Sequence, residues 1–433
     1  MLAGLGFITL IVFITLILTK RLHVITALVF VPIAAGLLLG VSVTDLGVMM
    51  FDGIKTVAPT AIMIMFSVLF FGIMIDTGLF DPLIAAIAKF AKNDPVKIAI
   101  GTALLTLCVS LDGDGPTTFM IVTLAMLPLY RKVGMNPLIL TGLAALGFYL
   151  MNSSPWGGPT ARTMAVLDLG VGELFTPLIP AMIAGGIYLL FMAYMLGTKE
   201  RKRLGYVKGA AAEIETIDMA NILGEQDQSI KRPKLRWFNL LLVVGCIVCL
   251  VLKVAKPAVL FMVSFAIGIF INYRDFKQME ERITANSGNA TFATVMMLAA
   301  GIFTGIFSGT KMIDAMAISM VTVIPEALSG LLPVFTAVIS FISTLVMTPD
   351  SFYYGVVPVL AQTGAVFGID PAAIGRAALL GQIGYGLSPL LASPLLLAAL
   401  AKVNYSDHQR FNILWGFGMV AVMILAGVIF GVI

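Results

Sequence analysis

Three acids stand where an otherwise apolar chain turns. Asp112 and Asp114 lie in Leu111-Asp112-Gly113-Asp114-Gly115-Pro116, and Asp350 lies in Met347-Thr348-Pro349-Asp350-Ser351. Carboxylates at such places can carry protons, hold a cation or cap the helix that follows. Thr117, Thr118, Thr348 and Ser351 add hydroxyls, each suited to capping or to ligand contact. The Asp112-Gly-Asp114-Gly run begins like a calcium loop, but Thr123 stands where the bidentate Glu belongs. An EF-hand is excluded, leaving Asp112 and Asp114 as candidates for a looser, oxygen-rich contact to a metal carried with a substrate. Two further interruptions, Asn152 to Pro159 and Gly384 to Pro389, break apolar stretches with Gly, Pro and Ser. Asn152, Ser153, Ser154, Ser388 and Ser393 supply neutral polar groups there, and Gly157 and Gly158 permit close backbone approach. Arg162 follows about one helical turn later and offers a two-pronged donor, either to a bound carboxylate or to a tip aspartate. The substrate-contact candidates are therefore Thr117, Thr118, Asn152, Ser153, Ser154, Gly157, Gly158, Arg162, Ser351, Ser388 and Ser393. Asp112, Asp114, Thr348 and Asp350 are the candidates for cation or proton coupling.

The chain must hold these groups in lipid. Of its 433 residues 59% are hydrophobic and 12% charged, which excludes a soluble enzyme. A net charge of +4 with basic residues scattered at helix ends gives no face for nucleic acid. Cys246 and Cys249 have a C-x-x-C spacing but no second pair or nearby histidine, so they read as small packing residues. Leu2 to Leu18 lacks the basic start and cleavage site of a signal peptide and reads as a mature span. Apolar runs long enough to cross fall near 2–19, 22–40, 57–76, 175–196, 237–253, 257–272, 290–308 and 411–432. Regions 136–168 and 372–403 read as broken helices. Regions 96–130 and 330–363 each hold two short apolar stretches around a turn, the pattern of re-entrant hairpins. Gly301-x-x-x-Gly305-x-x-x-Gly309 and Gly36-x-x-x-Gly40 read as helix-packing faces. His23 and His408 fall at cytoplasmic ends and read as bystanders.

Basic residues retained on the cytoplasmic side place both termini outside, with the first hairpin entering from the cytoplasm and the second from outside. The polar stretch 198–236 separates two halves that superimpose at a shift of about 234 residues: Leu2 meets Arg236, Pro137 meets Pro371, Pro155 meets Pro389 and Thr117 meets Ser351. Each half holds five crossings, an odd number, so the second copy is upside down. The expected fold is an all-α polytopic membrane protein, an inverted repeat of five transmembrane helices plus one re-entrant hairpin each. Its parts are scaffold 1–92, transport part 93–197, cytosolic linker 198–236, scaffold 237–326 and transport part 327–433, with amphipathic arms near 79–92 and 312–326. Unwound backbone at membrane depth must line a polar cavity, and half-helix ends suit an anion moving with a cation by alternating access.

The run Asn152-Ser-Ser-Pro-Trp-Gly-Gly-Pro-Thr-Ala-Arg162, with Leu111-Asp-Gly-Asp-Gly-Pro-Thr-Thr118 before it and Leu387-Ser-Pro-Leu-Leu-Ala-Ser-Pro394 after it, resembles the bacterial citrate/divalent metal:proton symporter family. The similarity spans essentially the whole chain. It implies proton-driven uptake of citrate complexed with Mg²⁺ or Ca²⁺ across the bacterial inner membrane. It also implies a homodimer whose transport domain moves as an elevator against a scaffold, with no cofactor beyond the metal of the cargo. Related sodium-coupled dicarboxylate carriers have Ser-Asn-Thr at the tips. Gly113-Asp114-Gly115 and Thr348-Pro349-Asp350 depart from that pattern and argue against sodium.

Charge arithmetic points the same way. Citrate carries about three negative charges, and burying it beside three aspartates and one deep arginine would be repulsive by several kcal/mol. A divalent metal and protonation of a tip aspartate relieve this. The competing readings are a sodium/proton-type cation antiporter with Arg162 as a structural lock, or a di-/tricarboxylate or gluconate symporter without metal.

Overall fold

The computed structural model describes residues 2–91, 93–206, 229–252, 254–322 and 326–433, apart from a few side chains that include that of Asp112. All regular elements among them are helical. Local chemistry sets many of the helix starts. Asp94, Asn136 and Asp370 each accept a backbone N–H two residues on, and each precedes a proline that opens a helix: Pro95–Val109, Pro137–Met151 and Pro371–Gly381. Ser42 and Asp275 cap the two longest helices, Val43–Asp76 and Phe276–Gly309, by accepting from the backbone N–H of Asp45 and Gln278.

These two helices, 34 residues each, extend well before the expected spans at 57 and 290. Asp45, Asp52 and Lys55 in one, and Lys277, Glu280, Glu281 and Arg282 in the other, lower the local hydropathy, but no residue breaks the helix. The pair crosses backbone to backbone. A methyl on Gly53 would overlap the Gly301 carbonyl oxygen and lie 2.8 Å from Gly305 Cα. Gly301 and Gly305 are thus packing residues, as expected. Gly36 likewise packs, against Leu46, whereas Gly40 has φ +78° and closes the turn after Val24–Leu38. Position 40 is therefore a left-handed terminator and not part of a packing face.

Five helices are each long and apolar enough to cross a membrane alone: Val43–Asp76, Val171–Arg203, Pro233–Val251, Phe276–Gly309 and Tyr405–Ile429. Pro371–Leu387 and Ala392–Ala401, bent by 41° at their break, make a sixth if taken as one span. Leu2–Leu18, Val24–Leu38 and Pro257–Asn272 are shorter apolar helices.

The regions read as interrupted are divided as the turn chemistry requires. Pro95–Val109 leads through a tight turn, Ser110–Asp112, into Gly115–Val133. Pro137–Met151 is followed by Gly158–Leu167. Leu332–Val346 is followed by a wide π-turn, Ser351–Val356, and by Val357–Val366. Pro371–Gly381 runs through a 3-10 segment, Gln382–Leu387, to Ala392–Ala401. Element starts recur in the same order about 234 residues apart, as at Pro137 and Pro371 or Val171 and Tyr405. Short helices Asp81–Ala91 and Met312–Val321 fall within the segments 79–92 and 312–326, of which residues 92 and 323–325 lie outside the described residues, as does 207–228 of the linker with its Gly-Ala run at 209–212.

An open cavity of about 340 Å³ separates the long crossed pair from the far end of Gly158–Leu167. Asp52, Thr56, Asp168, Thr304 and Ser308 supply its polar lining.

Candidate functional site

At the first turn Gly113 adopts φ +74°, which reverses the chain. Asp114 then caps Gly115–Val133, accepting from the Thr117 backbone N–H at 3.0 Å and from the Thr117 hydroxyl. Asp114 therefore serves as the N-cap of this helix, with Thr117 as its partner. Thr118 is buried beside them.

Asn152 ends Pro137–Met151, and its side-chain oxygen accepts from the Gly158 N–H at 3.2 Å, closing the first break on itself. A side chain at Gly157 would overlap the Asn152 carbonyl oxygen, so the tight closure requires glycine there. Trp156 reaches back to the first turn, its Nε1 donating to the Leu111 carbonyl at 2.6 Å.

Arg162 lies one turn into the helix that follows. Its Nε donates to Asp350 Oδ1 at 2.7 Å, and its Nη2 lies 3.6 Å from Met296 Sδ. Nη1 sits over Gly158, where an added Cβ would lie 2.6 Å from it and push the guanidinium aside. The pair is recessed but not sealed, with side-chain exposures of 17% and 14%. Beside Asp350 at the second turn, the Thr348 and Ser351 hydroxyls are 3.0 Å apart, and Ser351 N donates to Thr348 Oγ1 at 3.3 Å. A π-turn follows directly, a distortion common at functional sites.

The second break joins the first. Gln382 Nε2 donates to Ser153 Oγ at 2.5 Å. Ser393 Oγ and Tyr149 OH are 3.1 Å apart, and Gly115 packs so closely on Ser393 that an added Cβ would lie 3.1 Å from its Cβ. Ser388 makes only a local bond, accepting from Leu390 N at 3.4 Å. The four interruptions thus form one connected group. The first break touches the first turn through Trp156, the second turn through Arg162 and the second break through Ser153. Thr117 and Ser388 remain in local turns.

Gln382, Tyr149 and Trp156 are linking residues that the motif reading did not single out. A glutamine within an apolar run was the available signal. His408, read as a bystander, is fully buried. Its Nδ1 lies 2.9 Å from Thr141 Oγ1 and its Nε2 lies 3.1 Å from the Gly386 carbonyl, while Gln409 donates to the Leu387 carbonyl at 2.8 Å. The last helix therefore holds two adjacent carbonyls of the second break, a tertiary role invisible to periodicity. Arg376 ties Val432 and Glu173 carbonyls together at 2.5 and 2.8 Å, in keeping with a structural role. Among the described residues no three His, Cys, Asp or Glu side chains gather into a metal-holding group.

This arrangement can clamp a carboxylate with a recessed arginine while a neighbouring aspartate competes for it. Comparison with known proteins agrees in kind. A family model described as citrate transporter (CitMHS) matches residues 8–381. The chain is 51% identical over 433 residues to a "Citrate transporter" of Bacillus subtilis (strain 168), covering 100% of both chains. It is 47% identical over 434 residues to a "Mg(2+)/citrate complex secondary transporter" of the same organism, covering 100% of this chain and 99% of the relative. The solved structure of the Alcanivorax borkumensis YdaH transporter superposes with a TM-score of 0.57 over 88% of this chain and 87% of that one, at 13% identity, a likeness of fold. The chain belongs to the citrate transporter family and is a transporter, not an enzyme.

Proposed function

We propose that this protein imports citrate as a complex with a divalent metal ion, coupled to protons, by an elevator-type alternating-access movement. The observation that carries the reading is the Arg162–Asp350 pair at the meeting point of four helix interruptions. Arg162 engages Asp350 through Nε, while its Nη2 holds only the weak thioether acceptor of Met296, which a cargo carboxylate would displace. Protonating Asp350 would loosen its hold on Arg162 and remove one negative charge as the cargo enters. A divalent metal lowers the cargo from about −3 to about −1 and makes burial beside aspartates tolerable. A relative named for the Mg(2+)/citrate complex supports this cargo class.

The repeated element order supports an inverted repeat of five crossings and one re-entrant hairpin per half. In that scheme, the crossings at 2–19, 22–40, 57–76, 237–253, 257–272 and 290–308 are scaffold. The two hairpins, both broken helices and the helices Val171–Arg203 and Tyr405–Ile429 travel with the cargo. We place the protein in the bacterial inner membrane as a homodimer with both termini outside. Asn152, Ser153, Ser154, Gly157, Gly158, Thr118, Ser351 and Ser393 line the cargo site, with Thr117 and Ser388 shaping its turns. Asp112, Asp114 and Thr348 assist Asp350 in coupling, and Asp112 and Asp114 are the candidate contacts to the metal of the cargo.

Labelled citrate uptake into proteoliposomes, with and without Mg²⁺ or Ca²⁺, across pH and in the absence of sodium, tests the reading. Uptake should require the metal and an inward proton gradient. Equal uptake after chelation overturns the metal complex, and uptake indifferent to the proton gradient overturns the coupling.

A further inference from the structure

Five buried side-chain polar atoms around the interruptions have no hydrogen-bond partner: Ser154 Oγ, Thr160 Oγ1, Tyr354 OH, Gln382 Oε1 and Tyr385 OH. They are half of all such atoms among the described residues. Gln382, Tyr354 and Tyr385 are at most 1% exposed. Orphaned buried polar groups are costly, so a concentration of them at one place points to a ligand that completes them. Tyr354 lies in the turn Ser351–Val356 that directly follows Asp350, and Tyr385 lies with Gln382 in the segment Gln382–Leu387, its ring 6.4 Å from that of Tyr149. Gln382 is tied to the first break by its Nε2 bond to Ser153.

The two kinds of group ask for different partners. Hydroxyls of tyrosine and serine can donate to carboxylate oxygens. The Gln382 amide oxygen has only lone pairs to offer, because its nitrogen is already engaged. A bare carboxylate cannot satisfy it, whereas an alcohol can.

We infer that Gln382 reads a hydroxyl group on the cargo while Tyr354, Tyr385 and Ser154 receive its carboxylates, so that the site selects hydroxylated polycarboxylates over their deoxy analogues. The inference rests on the proposed metal–carboxylate transport and adds the basis of its selectivity. A pocket built to bond a hydroxyl discriminates strongly against the analogue lacking it, because its own polar group is then left unpaired.

The test is competition for uptake of labelled metal-citrate by unlabelled citrate and by propane-1,2,3-tricarboxylate, which lacks only the hydroxyl. Both competitors are used at matched concentrations of metal complex, because the hydroxyl also affects chelation in solution. The wild-type protein should favour citrate by at least about tenfold. Gln382→Met should bring the ratio to within about threefold, and Gln382→Asn, which keeps an amide but withdraws it, should move it the same way if the first variant fails to fold. Tyr385→Phe and Tyr354→Phe should weaken both competitors alike and leave the ratio unchanged. Equal competition in the wild type, or an unchanged ratio in a folded Gln382 variant, overturns the inference. A ratio that changes with Mg²⁺ against Ca²⁺ only in the wild type also overturns it, since Gln382 would then be touching the metal. Failure of the wild type to take up metal-citrate at all is a different result and refutes the transport reading itself.

Discussion

Trp156 Nε1 donates to the Leu111 carbonyl across 2.6 Å, so the first turn and the first break hold each other. The ring is also packed by Phe71 and Phe261, with centroids at 5.0 and 5.3 Å. Trp156→Phe keeps apolar contact and removes the donor, leaving a half-buried carbonyl without this partner at a cost of about 1 kcal/mol. A lower melting temperature in detergent and a severalfold slower uptake are expected. Unchanged behaviour in both would show that the bond does not couple the two segments.

The Arg162–Asp350 pair gives a sharper contrast. Lysine retains the charge but not the planar fork, so Arg162→Lys should lose at least about tenfold in uptake, with Arg162→Gln losing as much or more. Near-normal uptake by the lysine variant would mean that geometry at this position is unimportant.

Asp350→Asn keeps the shape of the second turn and removes a carboxylate that can take up a proton. Exchange of metal-citrate across the membrane should survive, while accumulation driven by an imposed pH gradient should disappear. Parallel exchange and gradient measurements on one proteoliposome preparation separate the two. Gradient-driven accumulation at the wild-type level would assign coupling elsewhere.

Away from the site, Asn239 and Asn272 bond each other reciprocally, Nδ2 to Oδ1, at 2.9 and 2.8 Å. Both are buried between Arg236–Val251 and Pro257–Asn272. Asn239→Leu should cost only about 1 kcal/mol, because the separated helices find other partners in lipid. A small drop in melting temperature with normal citrate affinity is expected, and complete loss of folded protein would contradict it.

Gly53→Ala tests the crossed pair directly. Since the added methyl meets a main-chain oxygen rather than a pliable side chain, separation of the helices should cost about 1–3 kcal/mol. Thermal melting should register this, and competition between cargo analogues should be unaffected.

The interruptions were legible in the sequence because their causes are local. Gly113 before Asp114, Pro349 after Thr348, and Pro155 with Gly157 and Gly158 each dictate a turn whatever surrounds them. Proline after a capping residue fixed the starts at 137 and 371 for the same reason. Partners across the fold were not legible. Arg162 could have faced solute or aspartate, and only the folded chain brings Asp350, 188 residues away in sequence, to its Nε. His408 looked incidental because the carbonyl and hydroxyl that occupy its ring belong to other helices. The early starts of the two long helices were hidden by charged residues that lower hydropathy without breaking the backbone.

Where Gly53 meets Gly301, main chain lies against main chain with no rotamer to turn over between them. Such a junction cannot ratchet past itself in small steps, as surfaces studded with flexible side chains can. Val43–Asp76 and Phe276–Gly309 are consequently expected to behave as a single strut. Looser packing, with room for displacement, is found instead where Asp52, Thr304 and Asp168 line an open gap.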